Sequence, residues 1–387
     1  MRRTAIFDLH IGLGARMTEF AGWEMPLHYG SILSEARAVR SGVGVFDVSH
    51  MGRLLVRGED AVKVLARETV NNVAGLAVGR GHYTLMLNEA GGIVDDLVLF
   101  RLGEGVLANE QEPTERQNFL LVANAVNTHR VLERLEKHVS AGASAEVREQ
   151  TEVLGMLALQ GPRAVEVLSA YTQDGDPGSL ARFGIGRFKV GGVSCLVSRT
   201  GYTGEDGFEL ICEARSLPSI WNLLVRDGGA VPCGLGARDV LRIEAGYPLY
   251  GHEISDEITP FEAGLGWVLK NTEEYVGKEA LRRMGFLSQV EGVQAALPKR
   301  RLVGLLPETR SVPRQNDAVE REGQVVGKVA SGTFSPNLNR SLATAFVDAE
   351  FAKPGEELSI RSVGRTQKAR VSALPFADFP AAKRRKE

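Results

Sequence analysis

The sequence predicts an α+β protein built from two ferredoxin-like, split βαβ lobes followed by a C-terminal all-β, jelly-roll-like barrel. An internal echo is the first observation behind this. Leu55-Val56-Arg57-Gly58-Glu59-Asp60-Ala61-Val62-Lys63-Val64-Leu65 is matched by Leu159-Gln160-Gly161-Pro162-Arg163-Ala164-Val165-Glu166-Val167-Leu168. In each copy an apolar strand ends at Gly, and Ala-Val-x-Val-Leu then opens a helix. The second observation is that each copy leads into the same succession of two β-like runs, a further strand and a further helix. The third is a change of character beyond residue 300, where short apolar runs alternate with Gly, Pro and Asn.

Taken in order, residues 82–87, 93–101 and 118–123 read as strands of the first unit, and 125–138 as its closing helix. The second unit repeats this with strands 182–190, 193–199 and 207–212 and helix 216–226. Both halves therefore read strand–helix–strand–strand–strand–helix, the split βαβ pattern. Two such units side by side create an interface, a favoured place for a ligand pocket. Residues 285–300, with Gly292, Gln294 and Pro298, read as a linker. Runs at 302–306, 324–329, 342–347 and 369–372 then suggest a small barrel or jelly roll. Ala330-Ser331-Gly332-Thr333-Phe334-Ser335-Pro336 reads as a polar turn within it.

The chain has 387 residues, enough for two or three domains that each bury a core. Apolar residues at 43% and charged residues at 24% are those of a soluble globular protein. A formal net charge of −2 offers no general attraction to phosphate backbones, which argues against nucleic acid as a partner. The tail Lys383-Arg384-Arg385-Lys386 reads as a solvated basic run. Three cysteines, Cys195, Cys212 and Cys233, lack CxxC spacing and imply free thiols in a reducing compartment. No apolar stretch approaches a membrane span, and the two arginines of the N-terminus precede no apolar core. A cytoplasmic protein is expected.

Gly91-Gly92-Ile93-Val94-Asp95-Asp96-Leu97-Val98-Leu99-Phe100 places two adjacent carboxylates in an apolar run. On a strand they point to opposite faces. One faces water cheaply; the other is pushed towards an interior, where an ionised carboxylate is costly unless paired. A sheltered Asp of this kind suits proton transfer or the steadying of a cation. The competing reading makes both turn residues after Gly-Gly.

Nucleotide motifs fail: Gly234-Leu235-Gly236 has Asp239 where GxGxxG needs its third glycine, and no P-loop is present. The seven histidines show no metal-ligand spacing, so no metal is expected, and His50 reads as a packed imidazole. Glu209 offers a carboxylate suited to an amino-pyrimidine edge, and Arg238 a planar fork for a carboxylate or ring carbonyl. Tyr83, Met51 and Tyr247 suit the faces of a flat heterocycle. A helix-start ion pair between Arg238 and Asp239 is the competing reading of that arginine.

Phe20-Ala21-Gly22-Trp23-Glu24-Met25-Pro26-Leu27-His28-Tyr29, FDVSHM at 46–51, GGIVDDL at 91–97, GYTGEDGFE at 201–209, CGLGARD…LRIEAGYPLYGHE at 233–253 and SGTFSP at 331–336 appear in sequence over nearly the whole chain. Together they resemble the aminomethyltransferase (T-protein) family of the glycine cleavage system. The resemblance implies a three-domain cloverleaf. Its parts would be 1–50 with 141–284 as a discontinuous folate-binding domain, 51–140 as a ferredoxin-like domain, and 301–387 as the barrel.

It also implies transfer of a one-carbon unit from the aminomethylated lipoyl arm of the H-protein to tetrahydrofolate. Ammonia is released and 5,10-methylenetetrahydrofolate formed. Carried over by position, the family's essential Asp falls on Asp95, with Asp96 as its outward or supporting neighbour. The family's folate contacts fall on Met51, Tyr83, Asn124, Tyr202, Glu209, Arg238 and Tyr247. Asp95 would then stabilise an iminium-like cation or take a proton from the attacking amine. After Ala373-Leu374-Pro375-Phe376 the pattern is lost, and no ligand contact is assigned to the basic tail.

Two alternatives remain at this stage. A related folate-dependent demethylase or methyltransferase would use another sulfur or nitrogen donor. A non-enzymatic folate-binding relative in iron–sulfur assembly would carry a Cys in its short Gly-rich motif, and Arg199-Thr200-Gly201-Tyr202-Thr203-Gly204-Glu205 has none.

Overall fold

Strand alternation in Ile93–Leu102 sends Leu97 and Leu99 to one face and Val98 and Phe100 to the other, and the fold uses both faces. The computed structural model describes residues 1–103, 117–287 and 296–380. The Lys383–Lys386 run lies outside the described residues, as does the middle of the predicted linker with Gly292 and Gln294.

In the first unit five antiparallel strands lie in the order Arg80–Leu87, Ile93–Leu102, Gln117–Ala123, Gly52–Gly58 and Glu146–Glu149. The last is an edge strand beyond residue 140, where the sequence reading ended the unit. Helices Ala61–Glu68 and Thr128–Ser140 cover one face, packing Val64, Leu65, Val131 and Leu135 on Leu54, Val56, Leu99 and Leu121. Each such buried side chain contributes about 1.5–3 kcal/mol.

The second sheet has six strands in the order Ile185–Val190, Val193–Ser198, Gly207–Glu213, Leu154–Gln160, Gly44–Asp47 and Val231–Cys233. Its helix Ala164–Tyr171 buries Val167 and Leu168 behind the sheet. Gly44–Asp47 enters from before the first unit, so the chain passes through this sheet twice. The two sheets stack face to face: Leu55, Phe100, Leu120 and Val122 share one core with Met156, Ala158, Leu196 and Ile211.

The C-terminal region closes into a six-stranded antiparallel barrel, in the order Arg300–Pro307, Arg340–Asp348, Gln324–Ser335, Ala318–Arg321, Glu357–Ser362 and Arg365–Ser372. Ser331–Ser335 belongs to one of these strands rather than to the expected turn, paired with Arg340–Thr344. Two strands, Ala318–Arg321 and Glu357–Ser362, escaped the sequence reading because they are short and polar on one side. Their inward residues Val319, Leu358 and Ile360 complete the barrel core.

Helix Leu235–Glu244 joins the parts. Its Arg242 donates to Glu253 (2.8 Å), Asp239 (2.9 Å) and Ser331 of the barrel (2.7 Å). Glu244 accepts from Ser335 (2.5 Å), Asn337 and Arg40. Both side chains are buried, and burial of a charge is tolerable only with this degree of pairing. Among the described residues, no helix is long and apolar enough to cross a membrane. The three cysteines are free and buried.

Candidate active site

The two stacked sheets, the helix Leu235–Glu244 and the barrel surround one cavity of about 1260 Å³. Met51, Tyr83, Asn124, Tyr202, Glu209, Arg238 and Tyr247, separated by up to two hundred positions in the chain, all line it. Asp95 does not; Asp96 does.

The sequence reading expected Asp95 at the reacting groups; the structure turns Asp96, and not Asp95, towards the cavity, and the cause is simple. Gly91, at a φ of +86°, and Gly92 close the hairpin between Arg80–Leu87 and Ile93–Leu102. A side chain on Gly92 would collide with the Asp256 carbonyl. The aspartates lie in the strand proper, Asp96 opposite Leu85 and Asp95 opposite Met86. Asp95 shares its face with Leu97 and Leu99 and points into the first unit, towards the start of helix Thr128–Ser140. Asp96 shares its face with Val98 and looks into the cavity.

Asp95 is fully buried and accepts from Asn127 Nδ2 (2.9 Å), Asn124 Nδ2 (2.8 Å) and the Asn124 backbone N–H (3.1 Å). Asn124 Nδ2 also reaches Asp96 Oδ1 at 2.6 Å, so one amide group bridges the two carboxylates. Tyr83 donates its hydroxyl to Asp96 Oδ2 at 3.0 Å. Burial, then the adjacent Asp96 charge, pushes Asp95 above the ordinary carboxylate value. Burial likewise raises Asp96, against the hydrogen bonds from Asn124 and Tyr83 that favour its ionised form.

The remaining lining residues form a polar end between aromatic rings. Glu209, on the strand Gly207–Glu213, accepts from Thr200 (2.5 Å) at Oε2, leaving Oε1 for an amino group. Burial raises its pKa, while Thr200 and the Arg238 charge lower it. Arg238 lies over the Tyr202 ring, 4.6 Å from its centroid, and its Nη1 is enclosed without a partner. The expected alternative, an Arg238–Asp239 pair, is not formed, because Asp239 faces Arg242. Tyr202 stacks on Tyr247 with centroids 5.8 Å apart, and Tyr83 on Trp267 at 6.0 Å.

Reasoning from sequence missed several lining residues. Trp267 lies outside every motif it used; Thr333 and Phe334 lie in the SGTFSP segment, which is strand and not turn, and both line the cavity. His50 lines the cavity as well, although it reads as a packed imidazole. Among the described residues, no cluster of three or more His, Cys, Asp or Glu side chains is placed to hold a metal ion.

Two family models match the chain: the GCVT N-terminal domain over residues 6–273, and the glycine cleavage T-protein C-terminal barrel domain over residues 300–378. An aminomethyltransferase of Streptomyces avermitilis is 44% identical, the match covering 97% of each chain. That of Geobacillus kaustophilus is 42% identical over 97% of this chain and 98% of its own. The crystal structure of the glycine cleavage system aminomethyltransferase T from Bartonella henselae superposes with a TM-score of 0.85 at 32% identity, covering 98% of both chains. A motif series spanning the chain, the stacked sheets and barrel, and matches over nearly the full length agree: this chain belongs to the aminomethyltransferase (T-protein) family of the glycine cleavage system.

Proposed function

We propose that the cavity binds tetrahydrofolate as one-carbon acceptor and receives the aminomethyl group from the lipoyl arm of a glycine cleavage H-protein. One observation carries this reading. A single cavity holds a carboxylate with one free oxygen (Glu209), a guanidinium with an unpartnered nitrogen (Arg238), two aromatic stacks and a hydrogen-bonded acid (Asp96). A reduced pterin presents an amino-pyrimidine edge for Glu209, a ring carbonyl for Arg238 and a flat face for the aromatic rings.

Tetrahydrofolate, when bound, supplies the amine that takes up the one-carbon unit. The chain's own residues bind, orient and stabilise charge. Glu209 and Arg238 fix the ring edge, while Tyr83 and Asn124 hold the Asp96 carboxylate in one orientation. Asp96 then faces the positive charge that develops on the transferred carbon as ammonia departs, and Oδ1 or Oδ2 can take a proton from the attacking amine. The C–S bond breaks with its electron pair going to the lipoyl thiol. Asp95 stands behind it as a positioning group through Asn124. Val126 and Trp267, 59% and 48% exposed on the cavity wall, offer apolar surface to the lipoyl arm.

Two measurements test the reading: anaerobic titration with tetrahydrofolate, and turnover with aminomethylated H-protein. Saturable binding that weakens about tenfold or more in Glu209→Gln, with ammonia released in step with methylenetetrahydrofolate, is expected. Absence of tetrahydrofolate binding, or undiminished binding in a folded Glu209→Gln, would reject it.

A further inference from the structure

His50 is 2% exposed, lies on the cavity wall, and has an enclosed Nδ1 with no hydrogen-bond partner. A buried polar atom left unmatched costs free energy, and a bare acceptor is tolerated better than an orphaned N–H. The tautomer with its proton on Nε2 is therefore favoured, leaving Nε2–H as the nitrogen available to a ligand. The ring is held by a T-shaped contact with Phe20, centroids 5.5 Å apart.

The backbone around His50 is built to stay still. Asp47 accepts the Ser49 N–H at 2.9 Å and is itself held by buried His10 at 2.9 Å. The Met51 N–H closes the turn on the Val48 carbonyl at 3.0 Å. Arg53, wholly buried, donates to the carbonyls on both sides of His50, those of Ser49 (2.8 Å) and Met51. Burying a guanidinium and a carboxylate to pin a five-residue turn serves placement of the side chains that turn presents. Two of these, His50 and Met51, enter the cavity.

We propose that His50, as an uncharged imidazole, donates an Nε2–H hydrogen bond to an acceptor atom, a ring carbonyl or ring nitrogen, of the bound heterocycle. Burial and the nearby Arg238 charge hold its pKa down to about 3, so the ring stays neutral over the working pH range and acts in binding, not in proton transfer. This assignment rests on the folate reading of the cavity and adds to it a residue that discriminates ring systems by their acceptors.

The test compares tetrahydrofolate binding by the wild-type protein, His50→Leu, His50→Gln and His50→Asn, with thermal melting of each. Gln places its amide near the position of Nε2, and Asn near that of Nδ1. His50→Leu and His50→Asn are expected to bind about tenfold more weakly, and His50→Gln to recover most of the loss. Equal binding by folded His50→Leu overturns the assignment while leaving the folate reading intact. A wild-type protein that binds no tetrahydrofolate overturns both. Nitrogen NMR of histidine-labelled wild-type protein provides a readout independent of the variants' folding. The Nε2 resonance of His50 should be that of a protonated nitrogen and should shift on adding tetrahydrofolate; a protonated Nδ1, or no shift on saturation, overturns the assignment.

Discussion

The hydroxyl of Tyr83 donates to Asp96 at 3.0 Å across neighbouring strands, so the aromatic wall of the cavity also orients its acid. Under the proposed function the two carboxylates of the pair do different work. Asp96→Asn keeps the shape and removes the charge facing the substrate, and its kcat should fall by about a hundredfold or more. Asp95→Asn should retain tetrahydrofolate affinity and lose less, since it acts only through Asn124. Steady-state kinetics with aminomethylated H-protein decide the ranking; a larger kcat loss for Asp95→Asn would return the catalytic role to that residue.

The buried pair also writes itself into the dependence of stability on pH. Asp95 has its folded-state pKa raised above the unfolded value. The unfolded chain therefore releases that proton first as pH rises, and the native state is penalised increasingly above the ordinary carboxylate range. Asp95→Asn cannot ionise, so its stability relative to wild type should improve between about pH 5 and about pH 8. Melting temperatures of both proteins across that interval measure the difference. A constant or widening deficit would show that the three donors on Asp95 outweigh its burial.

Much of this fold was legible because its patterning is periodic. The repeat of Ala61–Leu65 in Ala164–Leu168 marks the matching helices, and alternation through Ile93–Phe100 is enough to split Asp95 from Asp96. What alternation does not give is which face meets the neighbouring sheet, since both faces of that strand are apolar. That depends on Phe100 packing with Leu196 and Ile211, about a hundred positions away. Trp267 was equally illegible, because its place beside Tyr83 is a tertiary contact between residues 184 positions apart. The seven lining residues carried over with their motifs were legible, because strands, loops and one helix bring those motifs to a single cavity.

Trp267 gives the cavity an optical reporter. The chain has three tryptophans; Trp23 and Trp221 are 5% and 1% exposed, whereas Trp267 is 48% exposed and lines the cavity. Occupation of the cavity should therefore change emission from Trp267 while leaving the other two in place. Trp267→Phe should abolish most of the signal, retain stacking on Tyr83 and change affinity by less than about threefold. A change of full size in that variant would place the ligand elsewhere.

The buried pair of Arg242 and Glu253, 2.8 Å apart and each 1% exposed, is one of the links between the helix and the barrel, since Arg242 also donates to Ser331 and Glu253 accepts from Thr344. Burial alone would raise the pKa of Glu253; Arg242, Thr344, Ser331 and the Leu249 N–H more than offset this and lower it. Arg242→Met strands that carboxylate and should cost about 3–5 kcal/mol. The double variant Arg242→Met/Glu253→Leu, with neither charge left, should recover much of the loss. Acidification gives a second signature. A lowered folded-state pKa contributes stability above the unfolded value of Glu253 that is lost as pH falls through the folded one. Wild-type protein should therefore lose more stability than the double variant below about pH 4.5. Denaturant melts of the three proteins at neutral and acid pH settle both points, and a double variant no more stable than Arg242→Met would mean that shape, not charge pairing, holds the barrel in place.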